Sequence, residues 1–293
     1  MIPVHSDWLH QAPVALMRRL AADTAKLLGV IYAVGSAISD HHPGQFGWDS
    51  HAYWLAERGA MYTTGPMTTD AYLYSPAFAQ FMQPSTFLPW PLFAVLWSTL
   101  LGLVLAWLLA PLHWWAIPLW MAALPEIRAG NIFILLALVA VLGLRHYSAW
   151  AFAALTKVSL CLGPVWFAVR REWRPLAMSL AVVGAAALFS WGLAPHLWVE
   201  WTHLLISQGS KSSHPLGSTH FPALIYRLPA AILLVVWGAH YDRRWVLPVG
   251  MVLASPVLWL GTFTMLAALP RLQNRSTVRA AADVIPKTNP ASL

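Results

Sequence analysis

The residues best suited to chemistry are concentrated in one polar stretch and its echo. Gly47-Trp48-Asp49-Ser50-His51-Ala52-Tyr53-Trp54 puts a carboxylate, a histidine and aromatic rings within about two helical turns. Tyr72-Leu73-Tyr74-Ser75-Pro76 follows, and Arg128, Asn131, Lys157, Ser255 and Trp259 stand apart on largely apolar sequence. An aspartate acts as general base when it comes within about 3 Å of the proton it removes. Cations hold a phosphate leaving group where their charge is preorganised in a dry site. Aromatic rings stack on sugar faces. Together these residue types suit glycosyl transfer from a lipid-phosphate sugar, with Asp49 as base and Lys157 and Arg128 as phosphate partners. Tyr53, one turn after Asp49, shares its helical face. Plainer uses exist for each residue. Asp49 can cap the helix it opens, the rings can anchor at a membrane interface, and Arg128 can pair with Glu126.

Other chemistries lack their signatures. The sequence has no phosphate-binding P-loop, dinucleotide fingerprint, His-Glu-x-x-His or Cys-x-x-Cys. Its histidines do not carry metal-ligand spacing, so neither a metal nor a cofactor is expected. Cys161 is the single cysteine, which rules out a disulfide within the chain.

Composition sets the class. Of 293 residues, 58% are hydrophobic and 10% charged, where soluble domains carry about 25% charge. This is the composition of a polytopic membrane protein, and 18 tryptophans suit the lipid–water boundary. The formal charge of +7 sits in short Lys/Arg clusters at span ends, as the positive-inside rule produces. Membrane lipids are therefore the expected partners, and nucleic acid is not.

The spans follow from the same pattern. A basic lead-in with Arg18 and Arg19 precedes a retained first span over 20–39, with the N-terminus cytoplasmic. A first outer loop, 40–86, holds Asp40, Asp49, Glu57 and Asp70 against one basic residue, Arg58; within it, Trp48–Ala60 reads as an interfacial helix. Spans follow at 87–109, 113–124 and 131–144. Between Arg145 and Arg170 lie 24 residues, 146–169, whereas two full crossings need about 40. A re-entrant hairpin with Lys157 near its tip resolves this; the alternative is one long helix with Lys157 snorkelling and Arg145 on the outside. A lysine at such depth is costly unless it meets an anion. A span at 175–194, a second outer loop at 195–222 and a span at 223–239 come next. Residues 245–269 form a second hairpin bent at Ser255-Pro256, and 270–293 read as a disordered cytoplasmic tail. The expected fold is an all-α integral membrane bundle, 1–269 as one domain, with about six full spans, two re-entrant hairpins and one interfacial helix.

In this order the motifs resemble those of the family-87 glycosyltransferases, polyprenyl-phosphate-mannose-dependent mannosyltransferases of the GT-C fold. The matching pieces are Trp48-Asp49 with Tyr53-Trp54, Tyr72-Leu73-Tyr74-Ser75-Pro76, Leu88-Pro89-Trp90, and Gly130-Asn131 where the family often has Gly-Gln-x-Asn. Lys157 before Arg170-Arg171-Glu172-Trp173-Arg174, and Ser255-Pro256-Val257-Leu258-Trp259, complete the set over about residues 20–265. The resemblance implies Asp49 as catalytic base and Lys157 beside the donor phosphate. It further implies inverting transfer of a hexosyl group, mannose, from a polyprenyl-phosphate sugar to a lipid or glycan acceptor at the outer face of the cell membrane. His51, Tyr53, Tyr74, Arg128, Asn131, Ser255 and Trp259 are the accompanying substrate-binding candidates. Two departures stand out. Leu260-Gly261-Thr262 follows Trp259 where the family usually has histidines, so His214 or His220 is the expected substitute. Val158 follows Lys157 where proline is common. The competing readings are a transporter of a lipid-linked substrate built on broken helices, a non-catalytic scaffold, and a homologue with weakened catalysis.

Overall fold

Short helices separated by breaks, more than uniform spans, carry the candidate residues. The computed structural model describes residues 46–210 and 222–273, apart from 57–60, 64–67 and 69. The expected first span, His214 and His220 lie outside the described residues. Those described form α- and 3-10 helices and no strand.

Helix α1, Trp48–Leu55, starts at Gly47, whose left-handed backbone (φ 76) caps it. Its buried face is Ser50, Ala52 and Tyr53, while Trp48 is 37% exposed. The helix is wedged into the protein because Tyr53 finds aromatic partners there. Helix α2, Pro76–Met82, is capped by Ser75, whose hydroxyl accepts from the Phe78 amide at 3.4 Å, with proline in its first turn. The Ser75 amide and hydroxyl both donate to the Leu155 carbonyl.

Helix α3, Trp90–Leu109, has 20 residues, about 30 Å at 1.5 Å each. Ala110–Trp115 is a 3-10 segment kinked at His113 (φ 51, ψ −125), and α4, Ala116–Ala122, returns along α3. Trp120 Nε1 donates to the Gly102 carbonyl at 3.3 Å across the pair. The apolar run Trp90–Ala122 is therefore a folded-back hairpin. Helix α5, Leu124–Ala129, ends at left-handed Gly130, and α6, Phe133–Leu142, follows.

The next stretch is the hairpin that the charge spacing predicts. Helix α7, Trp150–Thr156, breaks at Lys157, a 3-10 turn spans Val158–Leu160, and α8, Gly163–Val169, returns. Trp150 packs on Gly163, and the Tyr147 and Phe167 rings meet at 5.4 Å, so the two limbs run antiparallel. A residue with a side chain at 163 would collide with the Trp150 indole.

Helix α9, Trp173–Leu193, inverts the pattern of a soluble helix. Its buried residues are Ser179 and Ser190, whereas Leu188 and Phe189 are 74% and 71% exposed. Small polar residues inward and apolar ones outward suit a helix surrounded by lipid. Trp173–Leu193 and, within the apolar run Trp90–Ala122, the 20-residue helix α3 are the candidate membrane-spanning helices among the described residues.

Helices α10, Pro195–Ser210, and α11, Leu224–His240, lead to α12, Val246–Leu253. The chain then bends at Ser255-Pro256 into a 3-10 helix, Leu260–Ala268, that packs on both α12 and α6. Buried Arg227 satisfies the carbonyls this break frees, donating to Leu253 and Ser255 at 2.9 Å each. At the end of α3 remote from α1, Arg271 Nε donates to the Trp107 carbonyl at 2.9 Å. Arg170 binds Glu172 at 2.7 Å and Asp242 at 3.1 Å where α8 and α11 end.

Candidate active site

A joint between α1 and the turn after α5 builds the site. The Gly47 amide donates to the Arg128 carbonyl at 2.7 Å. Gly130 (φ 74) lies against Ser50 of α1; a Cβ there would sit 2.5 Å from Ser50 Cβ. Glycine permits both the left-handed backbone and the close approach. Trp97 Nε1 locks the turn by donating to the Gly130 carbonyl at 2.8 Å. The product of this docking is one hydrogen bond: Asn131 Nδ2 donates to Asp49 Oδ2 at 2.9 Å. Asp49 occupies the first turn of α1 and is not its N-cap, which is Gly47. The capping use of Asp49 is thereby excluded, and its carboxylate faces another element.

Glu126 belongs to the same turn. Its carbonyl accepts from the Gly130 and Asn131 amides at 3.0 and 3.1 Å. The residue is 3% exposed, and its side chain lies under Gly261 at the start of the last 3-10 helix, where a Cβ would overlap the carboxylate. Sequence reading gave Glu126 only as a possible partner of Arg128. The usable signal was a carboxylate set between long apolar stretches, which is costly and tends to be functional.

Lys157 approaches from the hairpin break. Its Nζ lies 3.7 Å from the Phe133 ring centroid and 5.9 Å from that of Tyr74. Its charge acts on Asp49 and on Glu126, yet neither carboxylate forms an ion pair with it. Opposite charges thus share one site without neutralising each other by contact.

The tyrosines wall this group. The Tyr53 and Tyr74 hydroxyls are 3.1 Å apart, their rings meet edge to face at 5.2 Å, and Tyr72 packs on Tyr74 at 5.6 Å. Tyr72 donates to the Ser75 carbonyl at 3.1 Å. Through Ser75 the whole motif is fastened to Leu155, two residues before Lys157.

Burial raises the pKa of Asp49, while the Lys157 charge and the Asn131 hydrogen bond oppose the rise. Glu126 is pushed up to about 8, first by burial and then by the Asp49 charge, against the pull of Lys157. Asp49 has a hydrogen bond holding its charge that Glu126 lacks. Environments that push two carboxyl groups apart mark acid and base assignments, and here they favour Asp49 as the ionised partner. Burial also keeps the Tyr53 and Tyr74 phenols protonated.

The structure brings Asp49, Tyr53, Tyr74, Asn131 and Lys157 together and places the other candidates around or apart from them. His51 is engaged at 2.6 Å by Asp70 and packs edge-on to Trp90 at 4.5 Å. Arg128 supplies its carbonyl to the joint. Ser255 is fully buried, and its hydroxyl donates to the Val257 carbonyl at 2.7 Å, so it holds the bend. Trp259 is 42% exposed at the start of the 3-10 helix. Among the described residues no group of three or more His, Cys, Asp or Glu could hold a metal ion.

The family model of glycosyltransferase family 87 matches residues 72–285, from the tyrosine motif past the last described helix. The chain belongs to glycosyltransferase family 87. As a family-87 glycosyltransferase it has a sugar donor and an acceptor as substrates. Glu126, Asn131, Lys157, Ser255 and Trp259 fall within the match, and Asp49 lies ahead of it. The Asn131–Asp49 hydrogen bond is what ties α1 to the matched region. No curated protein and no solved structure matches the chain.

Proposed function

We propose that this glycosyltransferase is an integral membrane enzyme of GT-C architecture. It transfers a hexosyl group, mannose, from a polyprenyl-phosphate donor to a lipid or glycan acceptor, with inversion. The observation that carries this reading is the pairing of Asp49, held by Asn131 at 2.9 Å, with a lysine whose charge reaches it and which has no ion pair among the described residues. Asp49 takes the proton from the acceptor hydroxyl as that oxygen attacks the anomeric carbon. The bond from that carbon to the phosphate oxygen breaks on the opposite face, and its electrons leave with polyprenyl phosphate. Lys157 offsets the charge that develops there. Tyr53 and Tyr74 line the sugar site.

The surroundings support a lipid-linked donor. Apolar α9 turns its large side chains outward, and the helix breaks at Lys157 and Ser255-Pro256 suit membrane depth only where protein or a wet cavity covers them. Arg170, Arg171, Arg174, Arg243, Arg244 and Arg271 lie at or near the ends of α8, α11 and the final 3-10 helix. By the positive-inside rule we read that side as the cytoplasmic face of a cell-membrane protein and the Asp49 end as the outer face.

The test is transfer in proteoliposomes from radiolabelled polyprenyl-phosphate hexoses and, separately, from nucleotide sugars. The reading expects label to pass from the lipid-linked mannose donor alone and to appear with inverted anomeric configuration. Transfer from a nucleotide sugar, or from no lipid-linked donor, refutes the donor class.

A further inference from the structure

Two acceptors in the site have no donor. Glu126 Oε2 and Asn131 Oδ1 are buried and have no hydrogen-bond partner among the described residues; the two residues are 3% and 4% exposed. Buried polar atoms are almost always paired, so two orphans on one turn call for a ligand. Both are placed by the chain itself. Asp49, when ionised, only accepts hydrogen bonds, so the Asn131 amide must turn its nitrogen to Asp49 and its oxygen elsewhere. Glu126 occupies a notch that exists because residue 261 is glycine.

We propose that Glu126 and Asn131 together bind hydroxyl groups of the transferred sugar, apart from the cation that holds its phosphate. This rests on the lipid-linked donor reading above. The ligand that fits presents uncharged hydrogen-bond donors. A second cation is disfavoured, because Lys157 already acts on both carboxyl groups. A second anion would face Asp49. Hydroxyls both donate and accept, which suits a carboxyl that burial helps to keep protonated next to an amide oxygen. A hexose offers several such groups on one rigid ring, and two acceptors fixed on one turn can discriminate among them by position. A site built to pair a substrate hydroxyl rejects analogues that lack it. Glu126 is thus a sugar-binding residue and a determinant of which sugar is transferred.

The experiment compares binding of polyprenyl phosphate and of polyprenyl-phosphate mannose to the purified full-length protein, followed by intrinsic tryptophan fluorescence. The wild type is expected to bind the sugar-bearing lipid about tenfold or more tighter than the bare phosphate, the scale of one or two hydrogen bonds. Glu126→Ala should erase that preference while leaving affinity for the bare phosphate within about twofold, which also reports an intact fold. Gly261→Ala, which displaces the carboxylate without removing it, should do the same. Lys157→Met should weaken both lipids in equal proportion. The inference is overturned if Glu126→Ala keeps the preference, if it weakens both lipids alike, or if the wild type binds both equally. Failure of the wild type to bind either lipid refutes the donor reading and takes this inference with it.

Discussion

Replacing Asp49 by asparagine removes the proton acceptor and little else. The two side chains have nearly the same shape, and the Asn131 amide that reaches Asp49 at 2.9 Å can still donate to an amide oxygen. Burial raises the Asp49 pKa, so the folded state carries this carboxylate at a cost, and a neutral isostere should leave stability equal or slightly higher. Loss of a general base slows reaction by about 10²- to 10⁴-fold, which is roughly 3–5 kcal/mol of transition-state stabilisation. The assay is transfer of labelled mannose from the polyprenyl-phosphate donor in membranes of equal protein content, with thermal unfolding measured in parallel. Turnover should fall by about a hundredfold or more, with an unfolding midpoint equal to or slightly above that of the wild type. The wild-type rate should also fall on acidification at a pH above the usual aspartate range, because a base with raised pKa is protonated earlier. Asp49→Asn retaining more than about a tenth of wild-type turnover, or a rate insensitive to pH on the acid side, refutes the base assignment.

Three further outcomes follow from the same geometry. Lys157→Met should weaken binding of bare polyprenyl phosphate by roughly ten- to a hundredfold, the worth of a charge-assisted contact. Equal binding by this variant would remove the phosphate role. Gly130→Ala must accept a left-handed backbone that costs about 1–2 kcal/mol and push against Ser50. It should lower the unfolding midpoint and transfer together, and a fully active variant would show that the α1 joint does not position Asp49. For Glu126, the pKa of about 8 in the fold lies above its ordinary value of 4.5. The folded state therefore holds a proton that the unfolded chain has released. Stability should fall as pH rises from 4.5 to 8 and level off above that. Glu126→Gln should flatten this slope in a series of unfolding curves, and an unchanged slope would place the proton elsewhere.

The sequence alone determined the class and the breaks. Its apolar runs are long enough for helices that satisfy every backbone group within their own segment, and the described residues are helical. The hairpin at Lys157 was legible because too few residues separate Arg145 from Arg170 for two crossings, and the Ser255-Pro256 bend because proline cannot continue a helix. The ordered motifs also carried the family. Tertiary structure alone decided what meets Asp49. Helical periodicity reports neighbours three and four residues apart, whereas Asn131 lies 82 positions from Asp49 and reaches it only through the left-handed turn at Gly130 and its contact with Ser50. The same limit hid Glu126. As a sequence neighbour of Arg128 it reads as a pairing partner, yet residues two apart on a helix do not face each other. Instead, the folded chain sets that carboxylate under Gly261, 135 residues further on by subtraction of the two residue numbers. Such long-range contacts depend on the space that glycines leave between helices, which no local pattern encodes.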